Sequence, residues 1–332
     1  MSDLRQDPTT REWVIVAPDR ANRPGSFKSA KTKRTLPEWD ESCPFCPGNE
    51  ESTLAEVFRM QDGQSGWSTR VVPNRYPALT PEGAAGRQSE EGFFTKMEGT
   101  GVHEVIVESP LHNTTFAQMD RSQVERVLFT YRARYNDLKR VGLVRFVSIF
   151  KNRGESAGTS LEHPHSQVVA TPIAPPYIRR KLDIAIQYYH DMGSCLYCDL
   201  FRHELQMGTR VTMETANLAV FHPYASRSPF ETWVVPKTHQ PSFGLIVDEH
   251  LIELAGVLRD TLLRLDRLLD EPDFNYVICS SPAEDEQNNY HDWHLVIMPR
   301  LSKPAGFEMG SGIHINTAVP EETAALIRGV RP

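Results

Sequence analysis

Glu162-His163-Pro164-His165-Ser166-Gln167 follows a run of small residues, Ser156-Ala157-Gly158-Thr159-Ser160. Two histidines separated by one proline cannot share a helical face. In an extended segment, side chains at i and i+2 point to the same side. One imidazole can therefore coordinate a metal while its neighbour faces a substrate. Ser160 and Gln167 flank the pair with uncharged hydrogen-bonding groups, a set suited to attack on a phosphorus atom.

Outward from this stretch, the chain repeats one plan twice. The first half runs Cys43-Pro44-Phe45-Cys46, a strand and turn at Arg70–Pro77, a strand at Val102–Val107 ending in Ser109-Pro110-Leu111-His112, a helix, a strand from Val144 to Phe150, and the histidine pair. The second half runs Cys195-Leu196-Tyr197-Cys198, Leu218–Tyr224, a strand at Phe230–Val235 ending in Pro236-Lys237-Thr238-His239, a helix, a strand at Tyr276–Ile278, and His291-Asp292-Trp293-His294. His112 and His163 lie 51 positions apart, and His239 and His291 lie 52 apart. Agreement in both order and spacing points to an internal duplication, with halves at 1–175 and 176–332.

Asp120 is placed to cap a helix with Val124, Val127, Leu128, Tyr131, Tyr135 and Leu138 on one face. Asp248 is placed to cap another, with Leu251, Leu254, Ala255, Leu258, Leu262, Leu265 and Leu269 forming its stripe. Such stripes are core-facing surfaces. A third helix is predicted around Pro176 to His190, and loops at 23–42 and 80–92, which are rich in Pro, Gly, Ser and charge.

Cys43-x-x-Cys46 lets two thiolates reach one ion, and zinc then needs two more nitrogen or sulfur donors, for which His112 and His163 are the candidates. The second set is Cys195, Cys198, His239 and one residue from 291 to 294. Spacing favours His291, whereas anchoring on Pro172 and Pro299 favours Asp292 or His294. Both sets read as closed, structural sites. Cys279 reads as core. No role is assigned to His103, His190, His203, His222, His250 or His314.

The chain has 332 residues, 39% hydrophobic and 24% charged, with a net charge of −7. That balance argues against general nucleic-acid binding, which needs a basic face. No segment reaches the roughly 18 to 20 apolar residues of a membrane helix. The polar stretch Met1–Asp7 lacks the apolar core of a secretion signal, and four of five cysteines sit in CxxC pairs, so a reducing cytoplasmic location is expected.

At the level of whole motifs the chain resembles the galactose-1-phosphate uridylyltransferases of the histidine-triad superfamily. The likeness runs from about Asp7 to the C-terminus. It rests on Arg20-Ala21-Asn22-Arg23-Pro24, Cys43-x-x-Cys46, Asn74–Leu79, Ser109–His112, Asn152-Arg153-Gly154, His163–Gln167, Pro229-Phe230-Glu231 and Gly306-Phe307-Glu308. The resemblance implies an α+β fold of two fused histidine-triad-like halves, each a mostly antiparallel sheet with helices packed on one face, and a homodimer. It implies His165 as nucleophile and zinc on Cys43, Cys46, His112 and His163. Phosphate contacts fall on Arg20, Arg23, Asn152, Ser160 and Gln167, the nucleoside segment on Asn74, and the hexose segment on Phe307 and Glu308. The Cys195/Cys198 pair points to the subgroup with a second zinc. The implied reaction moves UMP between UDP-glucose and galactose 1-phosphate through uridylyl-His165. The alternative is an ADP-glucose phosphorylase working through adenylyl-His165.

Overall fold

The computed structural model describes residues 1–21, 35–63, 66–159 and 161–331. In the first half lie β1 (Asp3–Gln6), β2 (Trp13–Val16), β3 (Phe58–Asp62), β4 (Gly66–Pro73), β5 (Gln88–Glu90), β6 (Phe94–Lys96), β7 (Val102–Val107), α1 (Arg121–Lys139), β8 (Phe146–Arg153) and β9 (His165–Thr171). The second holds α2 (Pro176–Met192), α3 (Leu196–Met207), β10 (Val211–Glu214), β11 (Leu218–Phe221), β12 (Thr232–Pro236), α4 (Asp248–Leu269), β13 (Phe274–Cys279), β14 (His294–Pro299), α5 (Gly306–Ser311), β15 (His314–Asn316) and α6 (Pro320–Arg328).

Ten strands form one sheet in the order β10-β11-β12-β14-β13-β8-β9-β7-β4-β3. Every pairing in it is antiparallel. From the seam between β13 and β8 the order reads the same in both directions, with β9 matching β14, β7 matching β12 and β4 matching β11. At that seam Phe274 pairs with Arg153 and Ile278 with Ile149, so the halves share one hydrogen-bond ladder. A separate sheet, β1-β2-β15, is closed by β15 running parallel to β2, which ties the C-terminal region to the N-terminus.

The apolar stripes of α1 and α4 cover one face of the sheet. Val124, Val127, Leu128 and Tyr131 pack with Leu251, Leu254, Leu258 and Leu262 over Ile106, Ile149, Val168, Ile278 and Leu295. Asp120 occupies the α1 N-cap position, but α4 begins at Asp248 itself, with Val247 as its cap. Asp248 therefore sits in the first turn, where its charge favours the helix dipole. The opposite face differs between the halves. In the second half α2 and α3 cover it through Ala185, Leu196, Tyr197 and Phe201. In the first half, among the described residues, the buried apolar cluster there is the Cys43–Cys46 turn with Phe45, against Trp67, Val72, Val105 and Val107. That thin cover leaves the start of β9 beside a cavity. No helix among the described residues is long and apolar enough to cross a membrane.

Candidate active site

His165 opens β9, and the pairing of Val107 with His165 and Val105 with Gln167 puts both side chains on the face that lacks helices. The His165 Nδ1–H donates to the His163 carbonyl at 2.8 Å. With that nitrogen committed, the lone pair is on Nε2. The residue is 8% exposed, and burial holds it below the ordinary imidazole value, so the neutral, nucleophilic ring persists at neutral pH.

Two lobes meet at this ring. One, of about 420 Å³, is lined by Phe45, Thr53, Asn74, Arg75, Tyr76 and Gln167. The other, of about 1020 Å³, is lined by Asn113, Thr115, Lys151, Asn152, Gly154 and Glu155 among others. His165, Gly158, Thr159 and Leu161 belong to both. Small-molecule sites run from roughly 300 to 1,000 Å³. A ligand with two bulky ends joined by a small centre at His165 fits this shape.

Both amides flanking His165 have their carbonyl ends occupied. Gln167 Oε1 accepts from His103 Nε2 at 2.7 Å, and Asn152 Oδ1 accepts from Asn275 Nδ2 at 2.7 Å. Their amino ends remain for the cavity, and these are donors suited to phosphate oxygens. Asn275 comes from β13, so the second half shapes the first half's site across the seam.

Beneath the strand, on the helix-covered face, lies a buried polar network. Lys151 donates to the His165 carbonyl at 2.9 Å and pairs with Glu108. Glu108 in turn accepts from Tyr131 at 2.8 Å and from Ser166, and Tyr131 meets Tyr276 at 2.6 Å. Burial draws the Lys151 ammonium below its ordinary value, while Glu108 opposes that drift. The network pins the backbone that carries His165. Neither residue carried a motif signal, because each reads as an ordinary strand charge until the fold buries it.

Two residues earlier, on the side of the sheet where the Cys43–Cys46 turn packs, His163 enters a cluster of Cys43, Cys46, His112 and His163 whose ligand atoms lie within 4.8 Å of one another. Its Nδ1 stands 3.6 Å from each thiol sulfur, and His112 Nδ1 stands 3.6 Å from Cys46 Sγ. A tetrahedral ion with bonds of about 2.0–2.3 Å holds its ligand atoms roughly 3.3–3.8 Å apart. His163 Nε2–H donates to the Ser109 carbonyl at 2.8 Å, the outer contact that orients a ligating imidazole. Burial, the largest influence on each, raises Cys43 to about 11 and lowers His163 to about 4. A bound cation reverses the thiol's shift. The donors thus fit a closed four-coordinate metal ion.

The second cluster is Cys195, Cys198, His239 and Asp292. Asp292, and not the His291 favoured by spacing, fills the fourth position: its Oδ2 is 3.0 Å from Cys198 Sγ and 3.6 Å from Cys195 Sγ. His291 Nδ1 instead contacts Ser281 Oγ at 2.9 Å, and its ring packs on Tyr197. His239 Nδ1 is 3.4 Å from Cys198 Sγ, and its Nε2 is held by the Asn288 carbonyl at 2.9 Å. The Cys195 thiol is pulled down to about 6, chiefly by its contact with Cys198.

His294 is the counterpart of His165. It opens β14, lies two residues past a cluster residue, and its Nδ1 meets the Asp292 carbonyl at 3.1 Å. Here the ring is sealed. Trp233 stacks on it at 4.5 Å, Tyr197 at 5.4 Å, and Lys181 Nζ stands 3.4 Å from Nε2. Of the two counterparts, His165 is the one that lines a cavity.

The remaining candidates divide. Asn74 lines the smaller lobe. Arg20 sits in a short 3-10 turn at Pro18–Ala21, within electrostatic reach of Glu308. Phe307 and Glu308 lie on α5, Phe307 is 49% exposed, and none of the three lines either lobe. Ser160 and Arg23 lie outside the described residues.

Comparison with known proteins converges on one family. The family models "Galactose-1-phosphate uridyl transferase, N-terminal domain" and "C-terminal domain" match residues 1–175 and 181–312. An ADP-glucose phosphorylase of Arabidopsis thaliana is 36% identical over 99% of this chain and 93% of its own length. A galactose-1-phosphate uridylyltransferase of Thermotoga maritima is 31% identical over 99% and 98%. A crystal structure of the Arabidopsis thaliana ADP-glucose phosphorylase with bound ADP-glucose superposes with a TM-score of 0.85 at 32% identity, each chain covered completely. The chain belongs to the galactose-1-phosphate uridyl transferase family of enzymes.

Proposed function

We propose that this enzyme transfers a nucleoside monophosphate from a nucleoside diphosphate hexose to a phosphate-bearing acceptor through a covalent nucleotidyl-His165 intermediate. The observation that carries this reading is the His165 ring, its Nδ1 tied to the His163 carbonyl and its Nε2 left for a two-lobed cavity. His165 Nε2 attacks the α-phosphorus, the bond from that phosphorus to the bridging oxygen breaks, and hexose 1-phosphate leaves. The Nδ1–H bond to the carbonyl disperses the positive charge the ring gains. The acceptor's phosphate oxygen then attacks the same phosphorus and releases the histidine. Gln167, Asn152 and Ser160 donate to the non-bridging oxygens, and Asn74 meets the nucleoside in the smaller lobe. Such transfers depend on positioning and charge stabilisation.

For the two substrates, uridylyl transfer between UDP-glucose and galactose 1-phosphate is the first reading, supported by the family models over both halves. Phosphorolysis of ADP-glucose is the second, favoured by the likeness to the Arabidopsis thaliana enzyme. Zinc is the ion that suits the Cys₂His₂ cluster, where it would brace the segment carrying His165. It also suits the Cys₂His–Asp cluster. We further infer a homodimer, in which Arg20, Phe307 and Glu308 serve the cavity of the other copy.

Intact-mass measurement after mixing with UDP-glucose or ADP-glucose tests the reading. One of them should add one nucleoside monophosphate, and His165→Asn should abolish the adduct while keeping fold and metal. Turnover by His165→Asn would overturn the assignment. An adenylyl adduct discharged only by inorganic phosphate would select the second reading.

A further inference from the structure

Gln167 can serve an anion in only one of its two amide orientations. With Oε1 toward the cavity it would repel a phosphate oxygen, and with Nε2 toward the cavity it donates. Nothing in residue 167 itself makes that choice. His103 makes it. The main-chain N–H of Ala78 reaches His103 Nδ1 at 3.0 Å, and a backbone amide can only donate. Nδ1 is therefore the acceptor, and the ring proton sits on Nε2. That Nε2–H points at Gln167 Oε1, 2.7 Å away.

A second donor converges on the same oxygen. Asn74 Oδ1 accepts from the Tyr76 N–H at 2.9 Å, so Asn74 Nδ2 is a donor; it lies 3.1 Å from His103 Nε2 and 3.5 Å from Gln167 Oε1, and since the protonated Nε2 cannot accept, the Gln167 oxygen is the acceptor of the two. The sheet register makes the contact possible: His103 pairs with Val169, so it lies diagonal to Gln167 on the same face.

We propose that His103 is a positioning residue, whose fixed tautomer turns the Gln167 amino group toward the phosphorus attacked by His165. The inference rests on the nucleotidyl-transfer reading above, and it adds a residue that no motif singles out. The competing view is that His103 merely clasps the loop around Ala78. Two substitutions separate these. His103→Asn keeps an acceptor near the Nδ1 position and loses the donor to Gln167. His103→Gln keeps a donor near the Nε2 position and loses the close acceptor for Ala78.

The rate of adduct formation in a single turnover reads the difference. His103→Asn should slow it about tenfold to a hundredfold with KM nearly unchanged, short of the 10²–10³ expected for Gln167→Met, which removes the donor outright. His103→Gln should recover most of the loss, and His103→Asn added to Gln167→Met should cost nothing further. An unimpaired His103→Asn, a His103→Gln worse than His103→Asn, or losses that multiply would overturn the proposal. The Gln167 side-chain amide NMR signal, identified by its absence in Gln167→Met, reads the same claim without turnover. It should report a restrained amide in the wild type and an averaged one in His103→Asn, and an unchanged signal would sink the idea. If neither sugar nucleotide labels the wild type, the functional reading fails, and the amide signal alone decides the role of His103.

Discussion

Asp292 stands in the second half where His163 stands in the first. Each completes a Cys-Cys-His set, and each precedes by two residues the histidine that opens a strand. A carboxylate in place of an imidazole adds one negative charge to the ligand set, and it also takes the Gln240 N–H at 2.6 Å. Asp292→Asn should reduce the bound metal from two ions per chain to one, whereas His291→Ala should leave two, read by metal analysis of the purified protein. Loss of an ion from His291→Ala would contradict the geometry. Spacing pointed to the wrong residue for a simple reason. The interval from His239 to Asp292 is 53 positions against 51 from His112 to His163, so counting from His239 by the first half's interval stops short of Asp292.

Among the elements, the turn that follows β8 is closely crowded at its first residue. Gly154 adopts φ +85°, and a Cβ there would fall 1.4 Å from Asp273 Oδ1. That carboxylate takes the Ser156 N–H at 2.9 Å and the Ser156 hydroxyl at 2.5 Å, which folds the turn at Glu155–Ala157 against the second half. Gly154→Ala must displace the turn. It should cost about 1–3 kcal/mol of stability by denaturant unfolding and slow His165 labelling, because Gly154 and Gly158 line the cavity. Retained labelling at full rate would show that the turn's shape is immaterial. Much at this scale was legible. The strand at Val102–Val107 and the stripes of α1 and α4 follow from periodicity, and the paired histidines fix the face of β9. What stayed hidden depends on contacts between distant segments. α3 begins inside a CxxC whose counterpart forms no helix, and β2 meets β15 only once the chain closes on itself. The roles of Lys151, Glu108 and His103 come from partners across strands, which no local pattern encodes.

At the scale of the molecule, two matching halves share one sheet, and His165 lines a cavity where its counterpart His294 does not. The second copy keeps its histidine, shuts it behind Trp233, Tyr197 and Lys181, and lends Asn275 and Tyr276 to its sibling. The seam also governs what each half can do alone. A chain ended at residue 175 would bare the main-chain N–H and C=O row of β8 that β13 now covers. Bared strand rims recruit further strands. Such a fragment should elute as oligomers in size-exclusion chromatography, and adding the missing half should return it to a discrete species. A monodisperse, stably folded monomeric fragment would refute this. The junction between the two matching halves thus also acts as a guard against self-association, so circular permutation or splitting of the gene near that point should be penalised by precipitation before any loss of chemistry is felt.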